Sequence, residues 1–154
     1  MALDPSKNIE IHVAGICFRK GKTGLEIFVF KRSLLRRLYP GCWECGGGQV
    51  RPGESLRAAV VREMKEEAGL EVKPLMIFED YTIVAPMLSQ KLIPGVKFIC
   101  RVKGKSKINL QEGHIQYFWI SPKDLEKRKL KFIPGIENDI KRALDLVSKL
   151  NLIK

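Results

Sequence analysis

The sequence predicts an α/β fold in which helices sandwich a mixed β-sheet. Three observations carry that expectation. Alternating, β-rich segments occur in both halves of the chain, a glycine-bounded helical stretch separates them, and an amphipathic helix comes last. Strands on both sides of one helix, with a second long helix left over, pack most simply as a sheet covered on both faces.

Taken in order, residues 9–19 alternate, with Ile9, Ile11, Val13 and Cys17 toward one side, and read as a strand. Gly21-Lys22-Thr23-Gly24 turns the chain into a second strand, 25–31, rich in Ile, Phe and Val. A basic loop and Tyr39 follow, and Pro40-Gly41 signals a turn into the short segment Trp43-Glu44-Cys45. Residues 71–84 and 91–102 are β-rich, the second with Val96, Phe98 and Cys100 on one face, and 116–120 is another short strand. Ser121-Pro122 opens a short helix over 123–127, serine at the cap and proline in the first turn. Ile136, Ile140, Ala143, Leu144 and Val147 form an apolar stripe along a last helix, 136–150.

The chemistry concentrates in residues 48–70. Pro52-Gly53 is a turn signal, Ser55 is placed to cap a run of helix formers, and Gly69 supplies the stop. At about 100° per residue, Glu63 and Glu67 fall close together with Glu66 about a quarter turn away. Leu56, Ala59 and Val60 lie within roughly 60° of Glu63, so the acids sit inside an apolar arc. Like charges at i and i+4 oppose a helix, and acids turned toward the protein body call for a neutralising partner. Hard divalent cations, which take carboxylate oxygens, supply one. A surface helix with incidental acids is the alternative.

The same residues carry a family signature. Gly48, Glu54, Arg62, Glu63, Met64, Glu66, Glu67, Gly69 and Leu70 fill every defined position of G-x5-E-x7-R-E-U-x-E-E-x-G-U, with U aliphatic. The pattern resembles that of the Nudix hydrolases, and the order of strands and helices resembles the family across the whole chain. That resemblance implies a Nudix-type α/β/α sandwich around a mixed β-sheet, formed by one domain over 1–154. Trp43-Glu44 resembles the family's Trp-Glu-x-Pro-Gly-Gly lead-in, with Gly46 where that branch commonly has proline.

By the same resemblance Glu66 and Glu67 are the principal metal ligands, joined by the Gly47 carbonyl. Glu63 is base or ligand, Arg62 orients a neighbouring glutamate, and Glu54 buttresses the loop. Glu112 reads either as a further base or ligand or as an ordinary loop acid. The reaction implied is Mg²⁺- or Mn²⁺-dependent hydrolysis of a pyrophosphate linkage in a nucleotide derivative. The Trp-Glu lead-in and the short chain favour MutT-type action on nucleoside triphosphates, oxidised ones included. Pro86, 16 residues beyond Leu70, resembles a marker of the ADP-ribose branch. Base recognition lies outside the signature, where Phe132 and Asn138 are candidates for stacking and edge recognition; a core Phe and a solvated Asn are the alternatives.

Length and composition bound the rest. One hundred and fifty-four residues at 45% hydrophobic content make one domain with a real core. No window approaches a membrane span, and the first residues lack the pattern of a secretory leader, so a cytoplasmic protein without membrane contact is expected. The net charge of +11, densest at Lys31, Arg32, Arg36 and Arg37, calls for an anionic partner. A nucleotide substrate meets that need; long nucleic acid is not expected, though a silent nucleotide-sensing or RNA-binding module is the competing class. A homodimer is compatible with all of this. Cys42 and Cys45 form a lone C-x2-C without the further ligands zinc requires, and Cys45 reads as a small strand residue.

Overall fold

The computed structural model describes residues 10–85 and 91–154. Strands β1 (His12–Gly21) and β2 (Gly24–Arg32) form a hairpin that stays in register from Gly21↔Gly24 to Phe18↔Ile27. Beyond that point they part, and the segment between them fills the wedge. Strand β3 (Trp43–Glu44) pairs with β2, and β4 (Gly47–Gln49) pairs with β1.

On its other edge β1 runs parallel to β6 (Lys91–Val102), which in turn pairs antiparallel with β5 (Val72–Ala85). Strand β7 (His114–Ile120) adds antiparallel to the far edge of β2. Among the described residues the sheet therefore has seven strands and is mixed. One face carries helix α1 (Leu56–Ala68), whose buried Ala59, Val60, Met64 and Ala68 pack on Val13, Cys17, Phe28, Phe30, Phe98 and Cys100. The other face carries α2 (Pro122–Lys127) and α3 (Ile136–Lys149), with Leu125, Ile140, Ala143 and Val147 on Ile16, Phe18, Ile27, Val29 and Ile99. The period-two alternation of β1 and β2 thus feeds two cores at once, as a sheet covered on both sides requires. Each fully buried Phe contributes roughly 1.5–3 kcal/mol, and Phe30→Ala would cost about 3–5 kcal/mol.

The expected α/β/α sandwich is present. The first strand begins at His12 rather than at residue 9; Ile11 precedes it, and Ile9 lies outside the described residues, as does Pro86. Strand β7 starts two residues earlier than the alternation indicates, because a register shift at Lys31/Arg32 lets His114 pair with Arg32. Ser55 caps α1 through the Ala58 N–H at 3.1 Å, and Gly69 ends it at φ 71°. No helix among the described residues is long and apolar enough to cross a membrane.

Candidate active site

The wedge between β1 and β2 decides where the site lies. It brings Gly46, Gly47 and Gly48 beneath α1, held by the β1–β4 register and by the Gly15 N–H donating to the Gly46 carbonyl at 3.2 Å. Glu63 of α1 then lies directly on the strand. A Cβ at position 48 would stand 2.1 Å from the Glu63 carboxyl carbon, so only glycine lets that carboxylate approach. The Gly47 N–H donates to Glu67 Oε2 at 3.4 Å, which sets the second carboxylate over the same loop.

Arg62 ties the loop to the helix. Its guanidinium donates to both oxygens of Glu54 (2.7 and 3.0 Å), to Glu63 Oε1 (2.7 Å), to Glu66 Oε2 (3.1 Å) and to the Gln49 carbonyl (2.9 Å). A planar fork of five N–H donors suits this geometry, and a lysine would not reproduce it. Glu54 also accepts from the Arg51 N–H at 3.0 Å, so it braces the turn at Pro52-Gly53. Its hydrogen bonds, first to Arg62 and then to that N–H, push its carboxyl down to about 2.

Glu67 is in the opposite condition. Burial, and after it the negative charges of Glu44 and Glu63, push its carboxyl up to about 8 against smaller help from Gly47 and Arg36. Among the described residues no ion pair reaches it. A largely buried acid among acids, with a backbone loop beneath it, fits a hard divalent cation. Glu66 points outward instead, about half exposed and held by Arg62 and by Arg51 at 3.3 Å. As the side chains stand, no three of His, Cys, Asp and Glu among the described residues converge closely enough to hold a metal ion. Glu63 and Glu67 are therefore brought together with Gly47, whereas Glu66 has to swing inward to join them.

Sequence reasoning missed a second charged group beside Glu67. Glu44 Oε1 accepts from Arg32 Nη1 at 2.7 Å and from His114 Nε2 at 2.8 Å. Burial alone would raise the Glu44 carboxyl, but the His114 hydrogen bond and the Arg32 charge outweigh it and hold it low. The His114 ring, its side chain only 1% exposed, stacks on Phe30 at 3.6 Å. Glu44 was visible in the Trp-Glu lead-in. His114 was not, because its partner lies 70 positions away and no spacing links them.

The remaining candidates are more dispersed. Glu112 is exposed, and its carboxylate accepts no hydrogen bond among the described residues. Its neighbour Gln111 donates from its backbone to the Glu67 carbonyl at 3.2 Å, which places the loop at the C-terminal end of α1. Phe132 is half-buried against the α3 core and its backbone bridges Trp43, while Asn138 is exposed. Arg32 leaves the expected basic patch to bind Glu44, and the Arg36 guanidinium lies against Gly113. All four cysteines are buried and free, with the Cys45 thiol pushed up by burial.

Carboxylates pressed against a glycine loop and braced by one arginine, on a helix laid across a mixed sheet, define a class: hydrolases of phosphoric anhydrides that work with a divalent metal. The comparisons place the chain within it. A family model described as NUDIX domain matches residues 10–138, and the chain belongs to the Nudix family of pyrophosphohydrolases. The nucleoside triphosphatase NudI of Escherichia coli O17:K52:H18 is 30% identical over 98 residues, 58% of this chain and 69% of that protein. The MutT protein from Methanosarcina mazei Go1 superposes with a TM-score of 0.67 at 24% identity, covering 95% of this chain and 99% of the other. The NUDIX domain of Shewanella oneidensis NrtR, solved with ADP ribose, superposes with a TM-score of 0.69 at 18% identity over 94% of each chain.

Proposed function

We propose that this chain, as a single domain, hydrolyses nucleoside triphosphates to the monophosphate and pyrophosphate with Mg²⁺, or Mn²⁺ in its place. The observation that carries the metal-dependent reading is Glu67, a largely buried carboxylate pushed up to about 8 beside Glu63 and Glu44, with no ion pair among the described residues. The substrate class rests on the similarity to a nucleoside triphosphatase.

In this reading Glu67, Glu66 and the Gly47 carbonyl hold the cation, with Glu63 as ligand or base. When bound, the cation neutralises phosphate oxygens and acidifies a water. The chain's own residues do the rest. Arg62 fixes Glu63 through Oε1 at 2.7 Å and leaves the carboxylate aimed along the glycine loop, where it can accept a proton from the attacking water. Glu54 keeps Arg62 in place. Water adds to a phosphorus of the triphosphate, the anhydride bond to the departing pyrophosphate breaks, and the proton passes to the base. Glu112, exposed on the loop at the C-terminal end of α1, is the candidate for a second catalytic base, and Phe132 and Asn138 remain the candidates for contacts with the nucleobase.

A substrate panel with separate phosphate and pyrophosphate detection tests the proposal. With Mg²⁺, nucleoside triphosphates should yield monophosphate plus pyrophosphate faster than ADP-ribose yields AMP. Preferential release of AMP from ADP-ribose would overturn the substrate assignment and leave the glutamate roles standing.

A further inference from the structure

Away from the glutamates, where α1 ends, the chain forms a cavity of about 490 Å³ bordered by Lys65, Glu71, Lys103, Lys105, Ser106 and Lys107. Four lysines against one glutamate is an unbalanced lining. The usual reason for cations at a helix C-terminus is to meet its free carbonyls and dipole. Here the backbone already meets three of the last four carbonyls. The Gly69 and Leu70 N–H groups donate to the Lys65 and Met64 carbonyls, and the Asn109 and Gln111 N–H groups donate to those of Ala68 and Glu67. Lys65 pairs with Glu71 at 2.9 Å, but Lys103, Lys105 and Lys107 have no ion-pair partner among the described residues.

The lysines sit on a shaped loop rather than a loose one. Gly104 turns it at φ 54°, the Glu71 N–H donates to the Ser106 hydroxyl at 3.2 Å, and the Lys103 N–H donates to the Glu71 carbonyl at 2.7 Å. Gly69 lets it come close: a Cβ there would stand 2.8 Å from the Lys107 carbonyl. A fixed loop that gathers like charges around a concavity lowers its electrostatic cost by taking up an anion. Lysine ammoniums are compact charges suited to phosphate oxygens, and the volume falls in the range of small-ligand sites.

We propose that this cavity binds a small polyphosphate anion of two or three linked phosphates, at a site separate from the catalytic glutamates. A half-open concavity of this size suits such a compact ligand, whereas nucleic acid needs a track along its backbone. The site does not depend on the substrate assignment, and its failure would leave that assignment untouched.

Calorimetric titration with inorganic tripolyphosphate in metal-free, chelator-treated buffer tests it. The wild type should bind one equivalent. The exposed double variant Lys105→Ala/Lys107→Ala should bind at least about tenfold more weakly, the scale of two lost charge-assisted contacts. Glu67→Gln should bind as the wild type does. Absence of binding, or binding indifferent to the lysine pair but altered by Glu67→Gln, would overturn the site. Tighter, lysine-dependent binding of a short single-stranded RNA would overturn its assignment to a small anion.

Discussion

Replacing Glu67 by glutamine should make the metal-free protein more stable and the enzyme nearly inactive. The carboxyl is raised from an ordinary 4.5 to about 8 by burial and by Glu44 and Glu63. Between those two values the folded state holds a proton that the unfolded chain has released. Stability therefore falls as pH rises through that window, the reverse of the usual behaviour of a paired carboxylate. At pH 7 the two and a half units above 4.5 correspond to at most about 3 kcal/mol. Glutamine keeps the shape and removes that cost. Thermal unfolding in a chelator should show the variant several degrees above wild type at pH 7.5, since 1 kcal/mol is worth roughly 2–4 °C in a domain of this size, with the difference closing toward pH 4.5. Saturating Mg²⁺ should raise the wild type far more than the variant. Turnover should drop at least ~100-fold, the scale of a lost electrostatic group. A variant less stable than wild type without metal at pH 7.5 would refute the claim that Glu67 is held in an unfavourable charged site.

Other substitutions probe the braces around it. Arg62→Ala strips the counter-charge from Glu54 and Glu63 and should lower the urea unfolding midpoint; an unchanged midpoint would remove Arg62 as the tie between loop and helix. Gly48→Ala forces Glu63 away from the strand and should cut kcat at least ~10-fold with the far-ultraviolet circular dichroism unchanged; full activity would show that Glu63 need not approach there. His114→Ala leaves Glu44 with Arg32 alone and removes the ring stacked on Phe30, so a loss of about 2–4 kcal/mol is expected by thermal unfolding, and an unchanged midpoint would count against the Glu44 cluster as a structural unit.

How far the sequence could be read follows from the range of the interactions involved. Helix α1 was legible from end to end, because Ser55, the good helix formers and Gly69 act within a turn or two of themselves. The inward turn of Glu63 and Glu67 followed from helical periodicity against Leu56, Ala59 and Val60, and the apolar stripe of α3 from the same rule. What escaped depends on distant partners. The splitting of β1 from β2, which seats the glycine loop, is a matter of strand register that no local pattern records. The Glu44–His114 contact joins residues 70 apart. Glu66 lay about a quarter turn from Glu63 and Glu67 on the wheel, on the same face, yet Arg51 and Arg62 draw it outward, an outcome set by side-chain competition rather than by spacing. Phe132 and Asn138 were chosen for residue type alone, and the structure gives them a half-buried core contact and an exposed helix position.

The claim on which the rest depends is that α1 and the glycine loop form a divalent-cation site. Titrating the protein with Mn²⁺ and following the electron paramagnetic resonance of the free ion measures that site without any substrate. The wild type should take up Mn²⁺ and release it to excess Mg²⁺, Glu67→Gln should lose most of the uptake, and Glu112→Gln should keep it. Uptake by Glu67→Gln equal to that of the wild type would contradict the assignment.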